Sequence, residues 1–268
     1  MNNPTERIQK QDNQFIHPWD NFQNLGNNQR TVVEKGDGIY IYDSQGNRLI
    51  DGPSGMWCVN IGHGRKEMAQ AIYDQVMQLP FTSPWSMATS PAAQFSEVLA
   101  AEAPGDLNHV FLTTCGSTAV DSALRFVQFY NNYRGKPEKK KIISRLKGYH
   151  GSTYLSASVS GKERDKNYLD FATDLVHHIP APHPLLKPDH MNDADFLDQC
   201  VADLESKINE LGADKVAVFV AEPILASGGV IVPPKGYHKR CLDVCHKYDV
   251  LYLSDEVVTS FGRLGHIF

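Results

Sequence analysis

The sequence predicts an α/β fold on a mostly parallel sheet, and two observations carry that prediction. From residue 109 onward, short apolar segments alternate with longer segments of helical periodicity, the signature of strand–helix–strand units with right-handed crossovers. Within that stretch, residues 216–220 are apolar without interruption, as expected of a strand covered on both faces.

The elements follow in chain order. Residues 1–29 are rich in Asn and Gln and read as an irregular arm with amphipathic anchors at Phe15, Trp19 and Phe22. In "TVVEKGDGIYIYDSQGNRLIDG", Ile39, Ile41 and Leu49 alternate with polar or amphipathic neighbours around the turn residues Ser44-Gln45-Gly46-Asn47, which predicts a β-hairpin or meander. Met68, Ile72 and Val76 share one face of a helix over 65–79, ended by Pro80, and Ser90-Pro91 opens another. A strand is expected at 109–113, a helix at 117–133, a strand at 141–145 and a helix at 152–159. The Pro/His-rich stretch 177–193 reads as a loop. A strongly amphipathic helix covers 195–211, and the strand at 216–220, a helix at 237–248 and a strand at 250–253 complete the pattern.

Composition narrows the function classes. The 268 residues carry a net charge of −5, which argues against a general nucleic-acid binder. The run Lys139-Lys140-Lys141 reads as a solvated approach to a strand. No segment has the apolar length of a membrane span, and the polar N-terminus lacks a signal-peptide core, so a cytoplasmic protein without a membrane partner is expected. The five cysteines are odd in number and scattered, which fits free thiols in a reducing compartment. Cys241 and Cys245 share a helix face with His238 and His246 nearby. Their spacing matches no zinc pattern, and packing is the expected role.

Ligands of such sheets bind beyond the carboxyl ends of the strands, which directs attention to four loops. In "TCGSTAVD", Gly116 permits close backbone approach, and Ser117 and Thr118 offer hydroxyls and amides at a helix start. This could cradle a phosphate or be a plain N-cap. It is neither a dinucleotide fingerprint nor a P-loop, which counts against a nucleotide-binding α/β enzyme. In "KGYHGST", glycines flank Tyr149 and His150, whose rings could stack on a flat ligand or form a buried turn. In "AEPILASGG", Glu222 sits where a buried strand ends and could order polar groups around a ligand or cap a helix. After the last strand comes Asp255. A carboxylate there is costly without a partner, and a protonated pyridine nitrogen would suit it, although a structural or capping role is open.

Together these motifs resemble the class III, or omega, aminotransferases among the fold-type I pyridoxal-phosphate enzymes. The resemblance covers nearly the whole chain. "DGPSGMWCVNIGH" is similar to the family's N-terminal segment with an active-site aromatic, here Trp57. "TTCGSTAVDSALR" resembles its phosphate-binding segment, with Thr118 where many members have Glu. "GYHGST" resembles its cofactor-stacking turn, and "LSDEVVTSFGRLG" its ring-nitrogen motif, with Val257 packing on the other ring face.

The resemblance implies a large α/β domain over 65–268, preceded by an arm and meander over 1–64 that belong to a small domain. It implies pyridoxal 5'-phosphate held by Gly116, Ser117, Thr118, Tyr149, His150, Glu222, Asp255 and Val257, with Trp57 and Tyr149 facing substrate. The implied reaction moves an amino group from an omega-amino acid or amine to a 2-oxo acid such as pyruvate, in a homodimer. A same-family aminomutase or a catalytically dead cofactor-binding protein are the alternatives. The family's Schiff-base lysine lies downstream of the Asp255 motif, so it is expected beyond Phe268. The chain then reads as an N-terminal fragment lacking its C-terminal part and inactive alone. Lys162 and Lys235, both read as exposed-loop residues, are not expected to replace that lysine.

Overall fold

The computed structural model describes residues 4–268. They divide into two compact units, the first ending at Ala93 and the second comprising Gln94–Phe268. This packing boundary lies downstream of the sequence-derived division at 64/65.

The first unit contains helix α1 (Pro4–Asp12), strands β1 (Val33–Asp37), β2 (Tyr40–Asp43) and β3 (Arg48–Ile50), and helix α2 (Lys66–Gln78). The three strands form an antiparallel sheet in the order β1-β2-β3, as the hairpin pattern predicts. Asp43 shapes the β2–β3 turn, its Oδ1 accepting the amides of Gln45 at 2.9 Å and Asn47 at 2.8 Å. The arm departs from the expectation of irregular chain. Pro4 sits at the start of α1, where its missing amide costs nothing. The helix is tied down by Thr5 to Ser44 at 2.8 Å and by Gln9 to the Arg30 carbonyl at 3.0 Å. The first three residues of the arm lie outside the described residues. Phe15, Trp19 and Phe22 are all exposed, so the expected anchors are not buried.

Helix α3 (Ser90–Glu102) leads into the second unit. There follow α4 (Gly116–Tyr133), β4 (Lys141–Arg145), α5 (Tyr154–Val159), β5 (Val176–Ile179), α6 (Asp193–Leu211), β6 (Val216–Ala221), α7 (Tyr237–Lys247) and β7 (Leu251–Ser254). The sheet is parallel throughout, in the order β5-β4-β6-β7. Strand periodicity places successive residues on opposite faces. Ile143 and Phe219 pack with Leu204 and Ile208 of α6 and Tyr237, Cys241 and Cys245 of α7. Ile142, Val218 and Val220 pack with Val120, Leu124 and Val127 of α4 and Val159 of α5. Both faces are covered, which is why β6 is buried at every position.

Two expectations fail in the second unit. Residues 109–113 form no strand: Phe111 and Leu112 stay exposed, and Phe111 packs edge-on against Phe126 with ring centroids 5.2 Å apart. An extended apolar segment becomes a strand only beside a ladder partner, and none of the described strands lies along it. Conversely, β5 overlaps the stretch read as loop. Its two histidines obscure the pattern, yet Val176 and Ile179 are buried and the strand pairs in register with β4.

Candidate active site

The second unit brings the four singled-out loops together at the carboxyl ends of β4, β6 and β7 and the start of α4. Ser117 in the first turn of α4 accepts the amide of Ser152 at 3.0 Å, which joins the 114–118 loop to the turn after β4. Gly151 makes that approach possible. Its φ is +133°, and a Cβ there would stand 2.6 Å from Ser117 Oγ and 2.7 Å from Ser117 Cα. The same turn reaches β6, where Glu222 Oε1 accepts the amide of Tyr149 at 3.0 Å and Oε2 that of Ala226 at 3.1 Å. It reaches β7 through His150, whose Nδ1 donates to Asp255 Oδ2 at 2.7 Å. The ring closes at Gly116, where a Cβ would lie 3.0 Å from Val257 Cγ2.

The roles within this ring differ from the bare motifs. Glu222 caps no helix; its buried carboxylate fastens two backbone turns, and burial pushes its pKa up against the lowering influence of His150 and the two amides. Arg145, at the end of β4 and fully buried, donates from Nη2 to the Glu222 carbonyl. The hydroxyl of Thr118 is engaged locally, accepting the Cys115 amide at 3.2 Å and donating to the Cys115 carbonyl at 2.9 Å. The Cys115 thiol sits among the amides of this helix start, and the Thr118 amide foremost lowers its pKa. His150 is buried, and its amide donates to Ser160 Oγ at 2.8 Å, so its ring is fixed as a partner of Asp255. Tyr149 is half-buried, with its hydroxyl 3.0 Å from Ser152 Oγ. Val257 is 63% exposed, an apolar side chain held at the rim of the ring.

His238 is a support that sequence reasoning considered only as a metal ligand. Its Nε2 donates to the Pro223 carbonyl at 2.9 Å, so Nδ1 accepts from the Tyr252 hydroxyl at 2.6 Å. The neutral ring braces the Glu222-Pro223 turn, and burial lowers its pKa to about 4. Cys241 and Cys245 are core residues whose thiols burial pushes up to about 12. Among the described residues no group of three or more His, Cys, Asp or Glu is placed to hold a metal ion.

The lysines separate. Lys235 is exposed, as expected. Lys162 is not: its side chain is 10% exposed, with Nζ 2.9 Å from Ser227 Oγ, 3.4 Å from Asp165 Oδ2 and 5.7 Å from the Tyr149 ring centroid. The motif gave no sign of this, because the contacts come from distant loops.

Trp57 belongs to the first unit and lies in an unusual backbone. Ser54, Gly55, Met56 and Trp57 have φ of +51°, +57°, +60° and +68°, a single left-handed helical turn. Three of the four carry a Cβ, and each such residue costs about 1–2 kcal/mol in this conformation.

The residues of the second unit fit pyridoxal phosphate. The N-terminus of the 18-residue helix α4 offers a positive dipole end for a phosphate. Asp255 is buried, and its Oδ1 receives only a long bond, 3.3 Å from the Val257 amide, which leaves acceptor capacity for a protonated ring nitrogen. Tyr149 adds an aromatic ring and Val257 an exposed apolar side chain, the two kinds of surface that pack against a planar ring.

Comparison with known proteins agrees. Residues 22–268 match the family described as aminotransferase class-III. The putrescine–pyruvate aminotransferase of Pseudomonas aeruginosa is 39% identical over 254 residues, covering 94% of this chain and 56% of that protein. The diaminobutyrate–2-oxoglutarate transaminase of Halomonas elongata is 39% identical over 241 residues, covering 88% of this chain and 51% of that protein. The crystal structure of the omega transaminase from Pseudomonas jessenii in complex with PMP superposes with a TM-score of 0.94 at 36% identity, covering 97% of this chain and 58% of that one. This chain thus spans little more than half the length of the relatives it matches. The fold, the ring of strand-end loops and these matches lead to one conclusion: the chain belongs to the class-III aminotransferases, pyridoxal-phosphate-dependent enzymes of fold type I.

Proposed function

We propose that this chain provides the cofactor-gripping half of an aminotransferase that moves an amino group from an omega-amino acid or amine to a 2-oxo acid such as pyruvate. The observation that carries the reading is the buried Asp255–His150 pair at the end of β7, linked through the 149–152 turn to the N-terminus of α4. When bound, pyridoxal phosphate supplies an electron sink and a carrier for the amino group.

The protein's own groups prepare that chemistry. The first turn of α4, with Ser117, Thr118 and the amides near Gly116, would hold the phosphate. Tyr149 and Val257 would pack against the bound ring. Asp255 would face the ring nitrogen, and His150 donates to the other carboxylate oxygen, which holds Asp255 in its orientation. Glu222 fixes the Tyr149 amide and so the height of the stacking turn. Trp57, in the first unit, is the aromatic residue that the family resemblance assigns to substrate.

Three finer points belong to the same reading. The Schiff-base lysine lies in the part of the relatives' length that this chain does not span. The chain alone therefore does not turn over, since Lys162 is engaged with Ser227 and Asp165 and Lys235 projects into solvent. The complete protein works in the cytoplasm as a homodimer. The name of the Pseudomonas aeruginosa relative, which specifies putrescine and pyruvate, supports an amine donor and a 2-oxo acid acceptor.

The test is borohydride reduction of the 268-residue chain after incubation with pyridoxal phosphate, followed by peptide mapping. Scattered substoichiometric labelling is expected. A single stoichiometric lysine, with turnover of amine and pyruvate, would show that the chain carries its own catalytic lysine. Lys162 is the position to inspect first.

A further inference from the structure

The left-handed turn before Trp57 needs something to hold it, because each non-glycine residue in it would fall back to ordinary backbone angles if released. The holding contacts converge on one carboxylate. Asp51 Oδ2 accepts the Gly55 amide at 2.9 Å, inside the turn, and His63 Nε2 at 2.8 Å. His63 is itself anchored to the meander. Its amide donates to the Gly38 carbonyl at 2.8 Å, and its carbonyl accepts the Gly38 amide at 3.1 Å. Its ring lies so close on β1 that a Cβ at Gly36 would stand 2.6 Å from its Cγ. The Asp51 amide donates to the Ile39 carbonyl at 2.9 Å, so both partners hang from the same hairpin. At the far end of the turn, the Trp57 amide donates to the Pro53 carbonyl at 2.7 Å, and Ser54 Oγ donates to the Val59 carbonyl at 2.6 Å.

We infer that Asp51 and His63 are positioning residues. They clamp the left-handed turn Ser54–Trp57 to the β-meander and so fix the orientation of the Trp57 indole. The inference rests on the reading of Trp57 as a substrate-facing wall. It assigns the stiffness of that wall to a carboxylate and an imidazole that need not touch substrate or cofactor. It also explains the glycine at 55: a Cβ there would meet Val59 Cγ2 at 2.7 Å, so the turn leaves no room for one.

The test reads the mobility of Trp57 directly and uses neither cofactor nor turnover, so its failure is distinct from failure of the aminotransferase reading. Replacing two of the three tryptophans, Trp19→Phe and Trp85→Phe, leaves Trp57 as the sole reporter. Asp51→Ala, and His63→Phe, which keeps a ring against Gly36 but removes the donor, should each raise acrylamide quenching of Trp57 about twofold and lower its fluorescence anisotropy as the turn samples other conformations. His63→Gln, which keeps a donor, should change them least. Adding Met56→Gly to either disruptive variant removes a Cβ from a positive-φ position and should restore both signals. A purely structural role for the pair would not be relieved by that glycine. Unchanged Trp57 signals in folded Asp51→Ala and His63→Phe would overturn the inference, as would changes that Met56→Gly fails to reverse. Should Asp51→Ala not fold by far-ultraviolet circular dichroism, His63→Phe with and without Met56→Gly makes the same comparison.

Discussion

Asp255 shows what a single position can and cannot disclose in a sequence. A carboxylate straight after a buried strand is a conspicuous cost, and the family pattern assigned it a ring nitrogen. That its other partner is His150, 105 positions earlier, is a fact of packing that neither motif contains. Under the proposed aminotransferase reading, Asp255→Asn in a protein that turns over should lower kcat on the order of 100-fold, the scale for losing one preorganised electrostatic partner. An amide cannot hold the ring proton as a carboxylate does, and unchanged kcat would remove Asp255 from the mechanism. Gly151 makes a sharper structural case. The sequence marked it as a flanking glycine, but only the fold shows that a Cβ would collide with Ser117. Gly151→Ala should destabilise the chain by about 1–3 kcal/mol through overpacking at a backbone that suits glycine, measurable as a lowered urea midpoint. Thr118 and Lys162 mark the limit of reading residues alone, since the hydroxyl of one and the ammonium of the other are committed to partners that the motifs do not name.

At the scale of elements, legibility followed the source of the stability. Helices α4, α6 and α7 and strands β4, β6 and β7 emerge within a few residues of their expected limits, because each buries a face whose apolar spacing is written locally. The segment at 109–113 and strand β5 reversed their expectations, because strand formation depends on a neighbour that local pattern does not specify. The α6–α7 layer supports a mutational test: Ile208, fully buried against the sheet, should cost about 2–5 kcal/mol on replacement by Ala in equilibrium unfolding. The His238 brace supports a pH test. Its folded pKa, about 4, lies below the ordinary 6.5, so between those values the unfolded chain binds the extra proton. Stability from the neutral ring is therefore full above pH 6.5 and is lost as pH falls toward 4, amounting to about 3 kcal/mol by linkage. Urea unfolding of the native chain and of His238→Gln across that window should show a steeper acid loss in the native chain, and parallel curves would dismiss the brace.

Over the whole molecule, the second unit carries exposed apolar side chains close together. On α4, Phe126, Phe129 and Tyr133 are exposed, and Phe111 beside them is exposed as well. Contiguous apolar surface of this kind drives association, so the 268-residue chain should elute in size-exclusion chromatography as a broad, concentration-dependent distribution. A sharp monomer peak at tens of micromolar would contradict that. The central claim, that the loops after β4, β6 and β7 and the start of α4 together grip pyridoxal phosphate, is tested most directly by calorimetric titration of the chain with pyridoxamine phosphate, whose amine cannot form an imine with stray lysines. Saturable one-to-one binding is expected, weakened at least about tenfold, or 1.4 kcal/mol, by Asp255→Asn and separately by joint replacement of Ser117 and Thr118 with leucine. Absence of binding, or equal affinity in the native chain and both variants, would contradict the account.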